Sequence, residues 1–370
     1  MAPSAIALVP LQGMEWMAQG VQAYLQTICK DYPCEIFTVE LPRFATGDGK
    51  AVLQNSIRGK DAYIFVDVGN YSVKYNIFGH ENSLSPDDHF QNLVRTISAI
   101  GGKADRINVI APLLYSARQD RRVARESLDC AVALQHLETI GVSNVMSFDL
   151  HDSRVQNATP FMGFDNLMPT YQTIKALCRS YDDLIFDEDH MVVVSPDFGG
   201  INRNFAYANE LGIDLGMFYK RRNVQKVQDG KNPVELHKYI GPDVAGKDVL
   251  IIDDIIASGE SMLDSALKIK QFGAKRIFVG VTFGFFTGGT EKFDAAYKDG
   301  ILEAVFVTNA SYRSEAVIQA PWYREVNLLK YISFYIYSVH TGSSVSTLLD
   351  PHAKIEELIR KYETQRQTMK

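Results

Sequence analysis

The chain has 370 residues and a mass of 41.5 kDa, which predicts about two domains of ordinary size. The hydrophobic share of 46% and the charged share of 22% exclude a disordered, collagen-like or coiled-coil chain. The 38 basic and 44 acidic residues give a net charge of −6, so we expect neither nucleic acid nor a membrane as a partner.

The amino-terminal sequence and the cysteines predict the compartment. MAPSAIALVPLQGMEW lacks the basic and apolar regions of a secretory signal, and no apolar run approaches the roughly 20 residues of a membrane helix. The cysteines are too sparse for a disulfide framework and form no CxxC pair; they are Cys29, Cys34, Cys130 and Cys178. We therefore expect a cytoplasmic protein in which these thiols are packing residues.

Short β-branched and aromatic runs alternate with helix-period stretches, which indicates βα units and mainly parallel sheets. The predicted strands are Cys34–Leu41, Asp61–Val68, Arg106–Leu114, Val145–Leu150, Met191–Ser195, Asp248–Ile252, Arg276–Phe283 and Leu302–Thr308. Four strands fall in each half of the chain, as if one α/β unit were used twice. We place the joint in Gln156–Pro169 and predict domains at 1–160 and 161–345, followed by a terminal segment, 346–370.

Two helices are predicted from local patterns. An apolar stripe over 262–270 ends before Gly273, a natural residue to follow a helix end. Asp350 and Pro351 form an N-cap and a first-turn proline, and an apolar stripe follows at helical spacing through Ile355, Leu358, Ile359 and Tyr362. This pattern predicts a C-terminal helix that either docks on its own chain or forms an oligomer contact.

The segment Val249–Ser261, which reads VLIIDDIIASGES, points most directly to a function. Its apolar residues predict a buried strand that ends at Asp253 and Asp254, and a loop of small residues then opens a helix. Ligands of open parallel sheets bind at the carboxyl ends of strands, and a helix N-terminus offers N–H groups to phosphate. Carboxylates accept hydrogen bonds from sugar hydroxyls. The segment therefore predicts a sugar-phosphate site, unless the acids only solvate a strand end.

This segment resembles the phosphoribosyl-diphosphate-binding loop of type I phosphoribosyltransferase-fold proteins. Other segments, in chain order, read YSARQDR (Tyr115–Arg121), FDLH (Phe148–His151), VSPDFGGINR (Val194–Arg203) and YKRR (Tyr219–Arg222). Together they resemble the ribose-phosphate diphosphokinase family over nearly the whole chain. The resemblance implies two tandem type I phosphoribosyltransferase-like domains, each a mainly parallel α/β sheet flanked by helices. It places ATP on the first domain and ribose 5-phosphate on the second.

The family resemblance implies an enzyme that transfers the diphosphoryl group of ATP to the C1 hydroxyl of ribose 5-phosphate and releases AMP, with Mg²⁺ as cofactor. It implies catalytic roles for Lys220 and Arg222. It implies ATP binding by Phe44, Arg118, Gln119 and His151, and a metal site at His151 and Asp197. The implied diphosphate turn is Gly199 and Gly200, and the implied ribose 5-phosphate residues are Asp253, Asp254, Ala257, Ser258, Gly259, Glu260 and Ser261.

The resemblance also implies a homo-oligomer built from dimers, with the hexamer a common form, in which Phe44 reaches into a neighbouring subunit's nucleotide site. From its own sequence context, Phe44 is equally compatible with a buried loop anchor. The basic YKRR segment begins a polar, Gly-containing stretch that extends to Asn232, which is typical of a lid loop. A solvated basic loop is the alternative interpretation.

Several positions depart from the family pattern. Ala257 stands where a third acid is usual, and Glu260 stands where glycine is usual, so a carboxylate faces the expected phosphate loop. The run Ala45–Lys50 is longer than the family's adenine loop, and Val123–Asp129 replaces its regulatory phosphate segment. Two alternatives therefore stay open, namely a non-catalytic regulatory homologue that associates with an active synthetase, and a nucleobase phosphoribosyltransferase.

Overall fold

The computed structural model describes residues 5–29, 31–122, 124–222 and 234–369, and the side chains of 220–222, 234–237 and 369 lie outside this description. The chain forms two compact units. Unit 1 comprises Met1–Pro169, Ala310–Tyr312 and Asn327–Asp350, and unit 2 comprises Thr170–Asn309, Arg313–Val326 and Pro351–Lys370. The predicted boundaries at residues 160 and 345 cut the chain into contiguous pieces, whereas each unit is assembled from three separate segments.

The strands follow one another as β1 (Ile6–Pro10), β2 (Cys34–Ile36), β3 (Val39–Glu40), β4 (Val52–Leu53), β5 (Asp61–Phe65), β6 (Lys74–Ile77), β7 (His80–Ser83), β8 (Arg106–Ile110), β9 (Asn144–Phe148), β10 (Gly163–Leu167), β11 (Met191–Ser195), β12 (Asp214–Arg222), β13 (Val234–Ile240), β14 (Asp248–Ile256), β15 (Arg276–Gly284), β16 (Ala304–Thr308) and β17 (Tyr323–Val326).

The α-helices are α1 (Glu15–Ile28), α2 (Pro86–Ile100), α3 (Asp129–Thr139), α4 (Thr170–Ser180), α5 (Ile201–Leu211), α6 (Glu260–Gln271), α7 (Glu291–Lys298), α8 (Glu315–Ile318), α9 (Leu329–Thr341), α10 (Ser346–Leu349) and α11 (His352–Met369). A 3₁₀ helix covers Ser153–Ala158.

Unit 1 is built on a parallel sheet with the strand order β10-β9-β8-β5-β1-β2. Every residue of β1 and of β5 is buried, as expected for inner strands covered on both faces. Short antiparallel pairs, β3 with β4 and β6 with β7, lie outside this sheet. The predicted strand Cys34–Leu41 is interrupted, and only Cys34–Ile36 joins the main sheet. The predicted strands did not include β1 or β10.

Unit 2 is built on a larger sheet with the order β13-β12-β11-β14-β15-β16-β17. All neighbours are parallel except β12 and β13, which pair antiparallel. Tyr219–Arg222, predicted to begin a lid loop, are not loop residues, because they continue β12 and their backbones pair with β13 in an antiparallel hairpin. Both sheets are mainly parallel and flanked by helices, which confirms the predicted α/β class.

The two helices predicted from local patterns are present. Helix α6 ends just before Gly273, whose φ of +91° is the left-handed geometry that favours glycine. Helix α11 packs within unit 2 through buried Ile355 and Tyr362, and the Tyr362 hydroxyl accepts the Leu184 N–H at 2.9 Å. The same hydroxyl donates to the Tyr181 carbonyl at 2.9 Å, so the predicted docking on its own chain is confirmed.

The cysteines are free thiols, with Cys29 and Cys130 buried and Cys34 and Cys178 half-buried. Burial raises the pKa of Cys130 to about 12, as expected for a packing residue with an unreactive thiol. Among the described residues, no helix combines the length and the apolar character that crossing a bilayer requires.

Candidate active site

The two acids of the VLIIDDIIASGES segment lie inside β14, which is four residues longer than predicted. On one side β14 pairs with β15 as far as Ile256↔Gly284, so the backbone stays extended past the acids. The Asp254 N–H donates to Asp253 Oδ1 at 3.0 Å. Asp254 is buried and Asp253 is partly exposed, so the pair lines the edge of the sheet where parallel strands end.

Arg203, in the first turn of α5, sits against both acids. Its guanidinium nitrogens lie 3.7 Å from Asp253 Oδ1 and 3.6 Å from Asp254 Oδ2, and its side chain is only 10% exposed. Burial and the neighbouring Asp254 carboxylate raise the pKa of Asp253 well above its ordinary value, although Arg203 opposes that shift. Arg203 therefore offsets part of the negative charge of the two acids.

The small residues after β14 form a tight loop that leads directly into α6. Gly259 has a φ of +81°, and a Cβ there would lie 2.3 Å from Phe293 Cε2, so glycine is required for both conformation and space. The Thr287 N–H donates to the Ala257 carbonyl at 2.9 Å, which holds the loop against the end of β15. The backbone N–H groups from Ser258 onward open the helix, where anions bind.

Glu260 is the first residue of α6, and its carboxylate is paired outside the loop. Lys292 Nζ, at the start of α7, lies 2.7 Å from Glu260 Oε1, and both side chains are more than half exposed. A carboxylate paired with an ammonium repels a nearby phosphate less than an unpaired carboxylate. The seven residues predicted for ribose 5-phosphate, from Asp253 to Ser261, thus lie on one continuous strand, loop and helix start.

The predicted diphosphate turn follows β11, the strand beside β14. The Gly200 N–H donates to Asp197 Oδ1 at 3.1 Å, and the Ser195 hydroxyl donates to the Asp197 carbonyl at 2.7 Å, which closes the turn before α5. A Cβ on Gly200 would lie 3.2 Å from Ser195 Oγ, tighter than an ordinary contact. The Asp197 carboxylate also contributes to raising the pKa of Asp253, so the turn and the acid pair share one electrostatic environment.

Lys220 and Arg222 lie on the part of β12 that extends past the end of β11. Pairing between these strands ends at Ser195↔Met217, and the Lys220 backbone is opposite His237 of β13. Both predicted catalytic residues therefore stand on an extension beyond the sheet edge that carries the diphosphate turn. Their side chains, and residues 223–233 of the predicted lid, lie outside the described part of the chain.

Phe44 lies in unit 1 on a tight turn and is 56% exposed, so it is not a buried loop anchor. Its N–H donates to the Asp48 carbonyl at 2.8 Å, and Lys50 Nζ lies 5.9 Å from the centre of its ring. Arg43 ties this turn to α2 through a 3.0 Å contact with Asp88. The ring is accessible to a flat ligand.

Arg118 and Gln119 follow β8, and His151 follows β9, the neighbouring strand. All three side chains are exposed at the edge where these strands end. The Tyr115 hydroxyl donates to Asp87 Oδ1 at 2.7 Å, which ties the loop after β8 to the first turn of α2. The residues predicted to bind ATP in unit 1 therefore come from two adjacent loops and from the Phe44 turn. Helix α2 contacts the loop after β8 and the Phe44 turn.

Sequence reasoning missed two residues of α5, Arg203 and Asn204. Arg203 is the last residue of the VSPDFGGINR motif, but the family resemblance did not predict a role for it. The available signal was its position one turn after the Gly199 and Gly200 pair, because helix side chains point toward the helix N-terminus. Asn204 is fully buried and bonds to the backbones of Gly200 and Ile252, which the chain sequence alone does not indicate.

Comparison with known proteins gives two successive family matches. The N-terminal domain of ribose phosphate pyrophosphokinase matches residues 17–141, and the phosphoribosyl transferase domain matches residues 164–315. The chain is 28% identical over 330 residues to a ribose-phosphate pyrophosphokinase of Mycoplasma pneumoniae, covering 88% of this chain and 92% of that protein. It is 29% identical over 314 residues to one of Vibrio cholerae, covering 83% and 90%.

The fold is similar to the crystal structure of phosphoribosylpyrophosphate synthetase from Mycobacterium smegmatis. The TM-score is 0.74 at 21% identity, and the match covers 92% of this chain and 100% of that one. The predicted arrangement of two tandem type I phosphoribosyltransferase-like domains is confirmed. Because the first matching domain is specific to one enzyme family and the relatives are covered over at least 90% of their length, this chain belongs to the ribose-phosphate pyrophosphokinase family.

Proposed function

We propose that this chain transfers the diphosphoryl group of ATP to the C1 hydroxyl of ribose 5-phosphate, giving 5-phosphoribosyl 1-diphosphate and AMP. The observation that carries this proposal is the placement of the acid pair and phosphate loop of β14 beside the diphosphate turn of β11. A sugar phosphate held by the acid pair and the phosphate loop presents its C1 side toward the diphosphate turn. The family's named activity requires both groups in one site.

The binding roles follow from the donors and acceptors present. Asp253 and Asp254 accept hydrogen bonds from the ribose hydroxyls, and the N–H groups from Ser258 to Ser261 donate to the 5-phosphate at the start of α6. Phosphoryl transfer depends mainly on position and on neutralising charge that spreads over the phosphoryl oxygens. In this proposal the ammonium of Lys220 and the guanidinium of Arg222 supply that neutralising charge.

Unit 1 is proposed to bind the nucleotide. The exposed Phe44 ring stacks on the base, while Arg118 and Gln119 contact the nucleotide and His151 contacts its phosphates. Aromatic rings stack well on planar bases, and an arginine fork pairs with phosphate oxygens. In the proposed homo-oligomer Phe44 serves the site of a neighbouring copy, and sedimentation velocity showing only monomers at assay concentrations would exclude that arrangement.

Magnesium is the proposed cofactor, with Asp197 as the candidate binding residue in unit 2 and His151 as the candidate in unit 1. Mg²⁺ is commonly held by one or two carboxylates together with water and substrate phosphates. Within the described side chains, no three His, Cys, Asp or Glu residues converge to enclose an ion by themselves. Burial and the neighbouring Asp254 and Asp197 carboxylates raise the pKa of Asp253, so a hard cation beside one or two of these carboxylates would relieve their repulsion. Bound Mg²⁺ would supply charge neutralisation on the phosphates, and AMP release that survives chelation by EDTA would remove it from the proposal.

A coupled assay of AMP release from ATP and ribose 5-phosphate tests the proposed function. Lys220→Ala should abolish turnover while leaving the unfolding temperature unchanged. Lys238→Ala is the matched control, because Lys238 is an exposed lysine on the same hairpin, opposite Tyr219. Equal rates for the two variants would contradict the role of Lys220.

The same assay separates the alternatives. No AMP release from the wild type, together with tight association with an active synthetase, would indicate a regulatory homologue. Product formation that needs a nucleobase and not ATP would indicate a nucleobase phosphoribosyltransferase. Neither alternative gains support from the comparisons, and the proposed cytoplasmic location is tested by fractionation of cells that express the tagged protein.

A further inference from the structure

Asn204 closes a gap in the hydrogen bonding of β14 immediately before the acid pair. The pairing of β11 with β14 ends at Val194↔Ile251, whereas β14 itself continues to Ile256. Ile252 is the first residue of β14 past that last pair. Asn204 Oδ1 accepts the Ile252 N–H at 3.1 Å, and Asn204 Nδ2 donates to the Ile252 carbonyl at 2.9 Å. The side-chain amide thus takes the place of one more peptide group of β11.

The same amide reaches the diphosphate turn. Asn204 Nδ2 also donates to the Gly200 carbonyl at 2.8 Å, and Ser195 Oγ lies 3.3 Å away. Asn204 is 0% exposed, so these bonds form in a site without bulk water, where leaving a polar group without a hydrogen bond is destabilising. A single buried side chain therefore connects the backbone of the turn to the backbone that precedes Asp253.

We propose that Asn204 is a positioning residue that sets the distance between the ribose-binding acid pair and the diphosphate turn. This inference rests on the proposed function, because it concerns the relative placement of the two substrate groups in that site. Displacements of about 1 Å in such a site lower reaction rates by as much as a hundredfold. Arg203, the preceding residue, lies against the carboxylates of the two acids, while Asn204 holds the Ile252 backbone that precedes them.

The test compares Asn204→Ala with Asn108→Ala. Asn108 is also buried and donates two hydrogen bonds, to Asp61 Oδ1 at 2.9 Å and to the Ala62 carbonyl at 3.1 Å, but it belongs to unit 1, whereas the acid pair belongs to unit 2. We expect both variants to lower the unfolding temperature. Asn204→Ala should also lower kcat/KM for ribose 5-phosphate at least tenfold at 25 °C, with most of the loss in kcat, while Asn108→Ala stays within twofold of the wild type.

A purely structural role for Asn204 predicts that the folded enzyme keeps its turnover, so equal kinetics for the two variants would overturn the inference. If Asn204→Ala does not fold, Asn204→Ser, which retains one donor and one acceptor, is measured in the same way and carries the same expectation. If the wild type releases no AMP, the proposed function fails. In that case calorimetry measures the Kd for ribose 5-phosphate of the wild type and of both variants. A tenfold weaker Kd for the Asn204 variant alone supports the inference. An unchanged Kd for the Asn204 variant, or no binding by the wild type, overturns it.

Discussion

Gly259→Ala should damage the phosphate loop for two separable reasons. The first is the backbone, because a φ of +81° costs a residue with a Cβ about 1–2 kcal/mol. The second is space, because the new Cβ would lie 2.3 Å from Phe293 Cε2 and 2.5 Å from Phe293 Cζ. The Phe293 ring cannot yield easily, since it is fully buried between Phe286 and Trp322, with ring centres 5.0 and 5.2 Å away. Such overpacking costs about 1–3 kcal/mol.

The expected total cost of Gly259→Ala is therefore about 2–5 kcal/mol. Part of this cost lowers the free energy of unfolding, and the rest is relieved by displacement of the loop. Urea unfolding measures the first part, and calorimetric titration with ribose 5-phosphate measures the second as a weaker Kd. Gly300→Ala is the matched control, because Gly300 has a φ of +68° and its Cβ would meet nothing within 4 Å. Gly300→Ala should lower the free energy of unfolding only by the backbone contribution, about 1–2 kcal/mol, and should leave the Kd for ribose 5-phosphate unchanged.

A double-mutant cycle isolates the clash. In a Phe293→Leu background the ring atoms that meet the new Cβ are gone, so Gly259→Ala should cost only the backbone part. The reasoning is refuted if Gly259→Ala and Gly300→Ala lose the same free energy of unfolding, or if Phe293→Leu leaves the cost of Gly259→Ala unchanged.

Three further predictions follow from charge and loop length. Burial alone would raise the pKa of Asp61, but hydrogen bonds from His340 and Arg106 lower it below its ordinary value. Its stabilising effect is therefore present above the ordinary aspartate pKa near 4 and is lost as the pH falls through the lowered folded value. Asp61→Asn should lower the free energy of unfolding, measured in urea at pH 7, by about 3 kcal/mol. The difference from the wild type should shrink toward pH 3, and a difference that stays constant would contradict this prediction. Lys292→Met should raise KM for ribose 5-phosphate up to about fivefold, and adding Glu260→Gln should reverse the change, whereas an unchanged KM would show that the pair is irrelevant to binding. Calorimetry should give one ribose 5-phosphate per chain, since only unit 2 has a short loop after its central strand, and two per chain would refute this.

The core of the candidate site could be predicted from the sequence because the residues with suitable chemistry follow one another along the chain. An apolar run, two acids and small residues are contiguous, so local pattern was enough to place Asp253 and the phosphate loop. The length of β14 was underestimated, because the acids look like a strand end. In the fold the strand continues, since β15 pairs with it as far as Gly284.

The missed features depend on contacts between distant segments. The extension of β12 through Tyr219–Arg222 has a polar sequence typical of a loop, and it is a strand because β13 pairs with it. Strand β10 has a mixed composition and lies within the stretch predicted as a joint, and as an edge strand it pairs only with β9. The role of Asn204 depends on the early end of β11, which no local pattern reveals.

The two units repeat one core, in agreement with the alternation of strands in the sequence. Unit 1 has the order β10-β9-β8-β5-β1-β2, and unit 2 has β17-β16-β15-β14-β11-β12 with β13 added at the edge. In each, the central strand begins with an aspartate paired to the arginine that begins the next strand. The Arg106 Nε–Asp61 Oδ1 distance is 3.1 Å, and the Arg276 Nε–Asp248 Oδ1 distance is 2.9 Å. The shared ion pair lies at the amino ends of the strands, opposite the edge where ligand binding is proposed.

The two cores differ at the other end of the central strand. Six residues after the first aspartate, each unit has a second buried aspartate, Asp67 or Asp254. In unit 2 only residues 257–259 separate β14 from α6, which leaves helix N–H groups close to the acids. In unit 1 residues 66–85, with the β6–β7 hairpin, fill that place, and Asp67 accepts the Ser311 hydroxyl at 2.8 Å and the Tyr312 N–H at 2.7 Å. A carboxylate already bonded to protein donors in a buried position cannot take sugar hydroxyls without losing those bonds. In the proposed function, the loop after the central strand, and not the sheet, therefore decides which unit binds the sugar phosphate.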